Sequence, residues 1–164
     1  MYEAANNQLV FDEHGELLIE PINRLVGRVN LEDERAIQNL VATAIRDGLV
    51  KSAHDISEGG LAVALAECCY SNLQRPAIGA EVDIPSHLEV RKDLFGEFSS
   101  RVLLTTGDVT EIRKRAGQMG LKFHDLGKVG GNRLILNYEN ERAIDIGMDE
   151  LEYAWSQGLP KLLS

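Results

Sequence analysis

An amphipathic stripe around residue 40 constrains the fold more than any other feature of the sequence. Its apolar residues recur at positions i, i+3, i+4, i+7 and i+8, the spacing of one face of an α-helix. They are Ala36, Ile37, Leu40, Val41, Ala44 and Ile45. Asn30 can cap the start of this helix, three acidic residues follow in its first turn, and Gly48 fits the position after its end. The pattern predicts a helix from about Leu31 to Asp47 with one face packed on a core.

The rest of the chain mixes helical and strand periods. Helical patterns cover residues 60–72, 109–119 and 148–155. Apolar and β-branched runs predict strands over residues 49–53, 77–84, 100–106, 123–129 and 133–137. The last two flank Gly130-Gly131-Asn132, a hairpin signal, so we expect them to pair. Because strands and helices follow each other without strict βα alternation, we expect an α+β fold, a mixed β-sheet with packed helices.

The size and charge of the chain limit the classes of protein to which it can belong. Its 164 residues, 44% of them hydrophobic, suffice for one domain with its own core, and we expect residues 31–164 to form it. Residues 1–30 are interpreted as an irregular N-terminal segment or linker. The 17 Lys and Arg against 26 Asp and Glu give a net charge of −9, which argues against a nucleic-acid-binding protein.

The sequence carries no signal for a membrane or for secretion. No apolar run approaches the roughly 20 residues that span a bilayer, and the N-terminus lacks the basic and apolar regions of a signal peptide. The two cysteines, Cys68 and Cys69, are adjacent, and adjacent cysteines rarely form a disulfide. We therefore expect two buried thiols, a cytoplasmic location and no membrane partner.

The turn between a predicted strand and the helix at residue 60 carries the strongest functional signal. Free N–H groups at a helix start attract anions, and glycines let a ligand approach the backbone. Acids in the same turn repel a bare anion, so either they face a metal or ligand hydroxyls, or the turn only caps the helix. Ser57 could do either, capping the helix or binding an anion. The candidate phosphate- or substrate-binding residues here are His54, Asp55, Ser57, Glu58, Gly59 and Gly60.

A second candidate element runs from Leu94 to Arg101, where the next strand begins. It adds Glu97, Ser100 and Arg101 to the candidate binding residues. Arg101 could make a bidentate contact with a phosphate or carboxylate, or it could pair with Glu97. No spacing of cysteines and histidines fits a metal site, and no nucleophile motif is present, so the sequence assigns no catalytic residue and leaves metal ligands unknown.

Three strings, in the same order, resemble a family of purine-biosynthetic synthetases. SAHDISEGGLAVALAECC (52–69) resembles the HD-hydrophobic-S-D/E-GGLAVALAE signature near the C-terminus of phosphoribosylformylglycinamidine synthases. LFGEFSSRVLL (94–104) resembles the LFGE-x-x-SR element of that family. HDLGKVGGNRLIL (124–136), followed by an acidic helix with Trp155, resembles its terminal G-x-VGG-x-RL and L-x-x-W elements. The ordered match covers about residues 31–163.

The resemblance implies the C-terminal domain of the aminoimidazole-ribonucleotide-synthetase superfamily, an α-β sandwich with a ferredoxin-like element. In such enzymes an N-terminal domain supplies most of the site for ATP and magnesium. The family converts formylglycinamide ribonucleotide, ATP and glutaminase-derived ammonia to the amidine, ADP and phosphate. Its catalytic histidine and magnesium-binding acids have no counterpart here, so the implied partners are N-terminal synthetase domains and a glutaminase, and the chain alone is expected to be inactive.

Two other interpretations stay open at the level of sequence. The chain could be a stand-alone nucleotide-binding or interaction module that kept the fold. It could also be a domain of another ATP-dependent member of the superfamily, although the LFGEFSSR element disfavours that. A domain that normally packs on neighbours would also be expected to expose apolar surface and to self-associate.

Overall fold

The computed structural model of the chain describes residues 10–11, 17–18, 30–71, 75–85 and 90–162. Its helices are α1 (Leu31–Arg46), α2 (Gly60–Cys69), α3 (Val90–Phe95), α4 (Val109–Gln118) and α5 (Met148–Leu162). Its strands are β1 (Val10–Phe11), β2 (Leu17–Leu18), β3 (Val50–Asp55), β4 (Ala80–Ile84), β5 (Val102–Thr106), β6 (Gly127–Val129), β7 (Arg133–Tyr138) and β8 (Glu141–Gly147). This mixture of elements confirms the predicted α+β class.

The N-terminal segment is described only where β1 and β2 pair antiparallel. Most of residues 1–30 lies outside the described residues. The expectation that this segment is an irregular linker before a domain at 31–164 therefore stays a prediction.

The amphipathic helix α1 forms as its sequence predicts. The side-chain oxygen of Asn30 accepts hydrogen bonds from the backbone N–H groups of Glu32 at 3.0 Å and Asp33 at 3.5 Å, which caps the helix. Gly48 follows the C-terminal end with φ +72°, a left-handed conformation that glycine adopts without a steric penalty. The apolar face of α1 contacts β3 and α4. The buried residues of α1 and α4 are Leu40, Ala44, Ile112 and Ala116.

A four-stranded mixed sheet with the order β6-β4-β7-β8 forms the larger layer. Strand β4 runs parallel to β7, while β6 and β8 pair antiparallel with their neighbours. The predicted hairpin between residues 123–129 and 133–137 is therefore wrong, because β4 lies between β6 and β7. Gly79, just before β4, exchanges backbone hydrogen bonds with Gly130 and Gly131 and so pairs with the turn between β6 and β7. A Cβ at Gly79 would lie 2.2 Å from the carbonyl oxygen of Arg133, so only glycine fits there.

Strand β8, which the sequence analysis did not predict, completes this sheet. It joins β7 through Glu139 and Asn140, both with positive φ (51° and 65°). Two consecutive residues in this conformation make the tight hairpin turn that matches strand twist. Helix α5 begins directly after β8 at Met148 and extends seven residues beyond the predicted end at residue 155.

One face of the four-stranded sheet carries the hydrophobic core. Buried and exposed residues alternate along β4 and β7, as expected for a sheet with one covered face. Helices α2, α3 and α5 supply the opposing residues. The core includes Leu61, Leu65, Val82, Ile84, Leu94, Leu134, Leu136, Tyr138 and Met148. Outside this core, Trp155 of α5 stacks on Tyr70 at 5.2 Å.

The expectation of two buried thiols is half correct. Cys69 is 3% exposed and belongs to the core, whereas Cys68 is exposed. Helix α2 ends at Cys69 instead of residue 72, so Cys68 lies in its last turn. Among the described helices, none is both long enough and apolar enough to cross a bilayer.

Candidate functional site

The two candidate segments, 54–60 and 94–101, meet in the fold. Strands β3 and β5 pair antiparallel, with Asp55 opposite Val102. Beyond the strands, the N–H of Ile56 donates to the carbonyl of Arg101 at 3.1 Å. The structure therefore brings all nine predicted binding residues into one region, although the sequence separates the two segments by 33 residues.

His54 and Asp55 lie in β3 and not in the turn, which corrects the predicted strand end at residue 53. The cross-strand ladder with Leu103 and Val102 extends the strand through both residues. The Nε2 atom of His54 lies 2.9 Å from Oε2 of Glu67 on α2, and both side chains are about one-third exposed (36% and 35%). Asp55 is exposed. His54 therefore has a fixed orientation toward α2.

Gly59 and Gly60 form the start of α2 in a conformation that requires glycine. Their φ angles are +77° and +71°. A Cβ on Gly60 would lie 2.7 Å from the carbonyl carbon of Phe95, so α2 begins in direct backbone contact with α3. A Cβ on Gly59 would lie 2.6 Å from a methyl group of Val63. Close packing and backbone conformation thus account for both glycines.

A carboxylate from the same chain binds the backbone amide at the start of α2. The N–H of Gly59 donates to Oε1 of Glu97 at 3.1 Å. Glu97 thereby places a negative charge at the positive end of the α2 dipole. This contact supports the helix-capping interpretation of the turn, with the cap supplied by the second candidate segment.

Ser57 and Glu58 are exposed and do not cap α2 with their side chains. The carbonyl of Ser57 accepts a hydrogen bond from the N–H of Gly60 at 3.1 Å, which closes the turn. Their side chains face solvent beside the glycines and are available to a ligand or a neighbouring domain.

Ser100 is anchored by a carboxylate from α1. Its backbone has φ +60°, a conformation that costs non-glycine residues of the order of 1 kcal/mol. The hydroxyl donates to Oε2 of Glu34 at 2.7 Å. This hydrogen bond, with a second from Gln38, holds the pKa of Glu34 below its usual value. Ser100 therefore ties the second segment to the first turn of α1.

Arg101 turns its guanidinium onto the backbone of its own segment. Nη2 donates to the carbonyl of Gly96 at 2.5 Å and Nε to that of Phe98 at 3.4 Å. The guanidinium also lies 5.1 Å from the centroid of the Phe98 ring. Burial lowers the pKa of Arg101, which the nearby charge of Asp93 partly opposes. Arg101 thus organises the loop, and its predicted pairing with Glu97 does not form.

Three carboxylates therefore hold three donors of the candidate region: Glu34 with Ser100, Glu67 with His54, and Glu97 with Gly59. Of these three carboxylates, only Glu97 is among the residues predicted from the sequence. Glu67 ends the string SEGGLAVALAE, which carries the family resemblance, and could have been found there, whereas no local pattern connects Glu34 to a serine 66 residues away. The resulting surface is acidic, and it suits hydroxyl, amine or cation partners better than a bare phosphate.

The described residues offer no group of three His, Cys, Asp or Glu side chains that could hold a metal ion. Two surface cavities of about 250 and 680 Å³ lie elsewhere, at the β7–β8 turn and along α1. Neither is lined by a candidate residue. Two segments of the chain, 54–60 and 94–101, build the candidate region.

Comparison with known proteins gives a family match for most of the chain. The family model described as AIR synthase related protein, C-terminal domain, matches residues 4–138. The phosphoribosylformylglycinamidine synthase subunit PurL of Anaeromyxobacter sp. (strain K) is 40% identical over 98% of this chain. The corresponding subunit of Moorella thermoacetica is 35% identical over 83% of the chain. The chain spans only 21% and 18% of the lengths of these relatives.

Solved structures share the fold. Phosphoribosylformylglycinamidine synthase II from Thermotoga maritima superimposes with a TM-score of 0.64 and 19% identity, covering 76% of this chain and 22% of that one. T. maritima PurL complexed with ATP gives a TM-score of 0.60 at 19% identity, covering 71% of this chain and 21% of that one. At these identities the likeness establishes architecture and not ligand binding.

Proposed function

Because this chain belongs to the family of AIR synthase related proteins through their C-terminal domain, we propose that it is the C-terminal unit of a phosphoribosylformylglycinamidine synthase. The proposed parent is an ATP-dependent carbon–nitrogen ligase of purine biosynthesis. It joins ammonia from glutamine to formylglycinamide ribonucleotide and releases ADP and phosphate. The observation that carries this proposal is the sequence identity to synthase subunits over nearly the whole chain.

In this proposal the chain shapes part of a cleft and a domain interface and does not carry the reaction alone. ATP and magnesium would be held mainly by N-terminal synthetase domains, since the donor set described here does not fit a metal site. A glutaminase partner would supply the ammonia. The proposed location is the cytoplasm, where free thiols such as those of Cys68 and Cys69 stay reduced.

The candidate residues divide between two roles. One group holds the two segments together through backbone contacts and carboxylate hydrogen bonds. It consists of the glycines, Glu97, Ser100 and Arg101. The exposed side chains of Asp55, Ser57 and Glu58 form a face that meets a ligand or the neighbouring domain, whereas His54, the residue before Asp55 on β3, points to the other side of the strand, toward α2. Acidic groups on this face favour the hydroxyl-bearing part of a ribonucleotide over its phosphate.

A domain exchange tests the proposal directly. The matching C-terminal fifth of the Anaeromyxobacter sp. (strain K) subunit is replaced by this chain, and the chimera is expressed in a purine auxotroph that lacks the synthase. We expect growth without purine, because the chain supplies the fold and the contacts of the replaced domain.

Two controls sharpen this experiment. The truncated relative without its C-terminal fifth, and this chain expressed alone, should each fail to support growth. Growth with this chain alone would overturn the proposal that it acts only as part of a larger enzyme. A chimera that accumulates as a folded protein but does not form the amidine in vitro would contradict the assignment to this reaction.

A further inference from the structure

The His54–Glu67 pair has a geometry that capping of α2 does not explain. His54 lies at the end of β3 and Glu67 lies more than a turn into α2, and the two side chains join the strand to the helix. The Nε2–Oε2 distance is 2.9 Å and both side chains remain about one-third exposed. A partly exposed imidazole oriented by a carboxylate is the arrangement of a ligand-facing histidine.

The carboxylate determines which ring nitrogen carries the proton. An ionised carboxylate only accepts hydrogen bonds, so the nitrogen facing it must be N–H. Nε2 of His54 is that nitrogen, and in the neutral ring Nδ1 then carries a lone pair. Among the described residues, Glu67 provides the one polar contact of this ring. Nδ1 is therefore left as an acceptor.

We propose that Glu67 is a positioning residue that holds His54 in the Nε2–H tautomer, so that Nδ1 accepts a hydrogen bond from a ligand hydroxyl or N–H group. A fully ionised phosphate monoester has no proton to give at this position, and the carboxylate of Glu67 beside the ring repels it. The ligand class rests on the proposed function, in which the parent enzyme binds a ribonucleotide. The tautomer does not rest on it.

Nitrogen NMR of the full-length chain labelled with 15N-histidine tests the tautomer. At pH 8.5, well above the ordinary pKa of imidazole, we expect a protonated Nε2 and an unprotonated Nδ1 for His54. Glu67→Gln introduces a side chain that can donate as well as accept, and Glu67→Ala removes the partner, so both variants should show a mixture of tautomers. Glu150→Gln, an exposed helical change of the same charge, should leave the signals unchanged. An Nδ1–H tautomer in the original chain, or no change in either Glu67 variant, would overturn the positioning role.

Titration with D-ribose and with methyl phosphate at pH 8.5, where the phosphate monoester carries no proton, tests the ligand class. We expect D-ribose to shift the Nδ1 signal of His54 while the His124 ring signals stay unchanged, and we expect phosphate to have no effect. A response to phosphate alone, or to neither probe, would contradict a hydroxyl or N–H ligand. If the chimera fails to support growth but ribose still shifts Nδ1, only the proposed reaction is overturned.

Discussion

The backbone N–H of Gly59 donates a 3.1 Å hydrogen bond to the carboxylate of Glu97, 38 residues further along the chain. This bond joins the two segments that sequence analysis selected separately. It also gives the start of α2 an acidic cap that no neighbouring residue supplies. Substitutions of Glu97 and of Gly60, which lies against the backbone of Phe95, test these contacts.

Replacing Glu97 by Gln should destabilise the chain by about 0.3–1 kcal/mol, the usual contribution of a negative charge at a helix N-terminus. The amide oxygen of Gln can still accept the hydrogen bond, but it lacks the charge that favours the helix dipole. The free energy of unfolding in urea measures this change. Glu141→Gln, an exposed residue of β8 away from any helix start, serves as the control and should change stability by less than about 0.5 kcal/mol. Equal losses in the two variants would contradict the capping role.

Replacing Gly60 by Ala should destabilise the chain by more than about 2 kcal/mol, because the new Cβ meets the backbone of Phe95 at a positive φ. Urea unfolding again measures the change. Gly117 in α4 offers the opposite case, since a Cβ there meets nothing within 4 Å. Gly117→Ala should therefore stabilise the chain by up to about 1 kcal/mol. A tolerated Gly60→Ala would show that α2 and α3 are not in backbone contact.

Replacing Ser100 by Ala or by Gly separates its hydroxyl from its backbone conformation. Both variants lose the hydrogen bond to Glu34, but only Gly adopts φ +60° without steric strain. We expect the Ala variant to be less stable than the Gly variant by about 1 kcal/mol. In both, the pKa of Glu34, followed by carboxyl NMR, should move back toward its usual value because its main hydrogen-bond donor is gone. Equal stability of the two variants would contradict the left-handed backbone at this position.

The buried thiol of Cys69 predicts a loss of stability at alkaline pH. Burial, with a smaller effect of Cys68, raises its pKa to about 11, whereas an unfolded chain has a thiol pKa of about 8.5. Between these values the unfolded state loses the proton and the folded state keeps it. The free energy of unfolding should therefore fall as the pH rises through this window, by at most about 1.4 kcal/mol per pH unit.

Urea unfolding of the original chain and of Cys69→Ala at pH 8 and pH 10.5 measures this contribution. The loss of stability between the two pH values should be smaller in the variant, since Ala does not titrate. A thiol reagent provides a separate check, because the exposed Cys68 should react in the folded chain and Cys69 only after unfolding. An identical pH response of the two proteins would contradict the raised pKa of Cys69.

Local patterns were sufficient where a segment forms its structure from its own residues. The apolar stripe, the Asn30 cap and Gly48 set both ends of α1 within one residue of the prediction. Each of these features acts over one or two helical turns, so neighbouring residues carry the whole signal. The choice of nine residues in two segments also required only sequence, and their binding role remains a proposal.

Sequence patterns were insufficient where distant segments compete for the same partner. The glycine turn at residues 130–132 is a valid hairpin signal, yet β4 enters between its two strands because Gly79 permits the close approach. Arg101 and Glu97 carry opposite charges and could form an ion pair. Instead, Arg101 donates to the backbone carbonyls of Gly96 and Phe98, and Glu97 accepts from the amide of Gly59. Both outcomes depend on contacts between segments that lie far apart in the sequence, so a short stretch of residues does not predict them.

By itself, the sequence determined the α+β class, the capped helix α1 and the family resemblance, because periodicity, capping and ordered motifs are written in neighbouring residues. Only the tertiary structure decided the order of the strands, the exposure of Cys68 and the pairing of Glu34, Glu67 and Glu97 with Ser100, His54 and Gly59. Those three pairings join residues 13 to 66 positions apart. Such contacts form only when the packed core has brought the segments together.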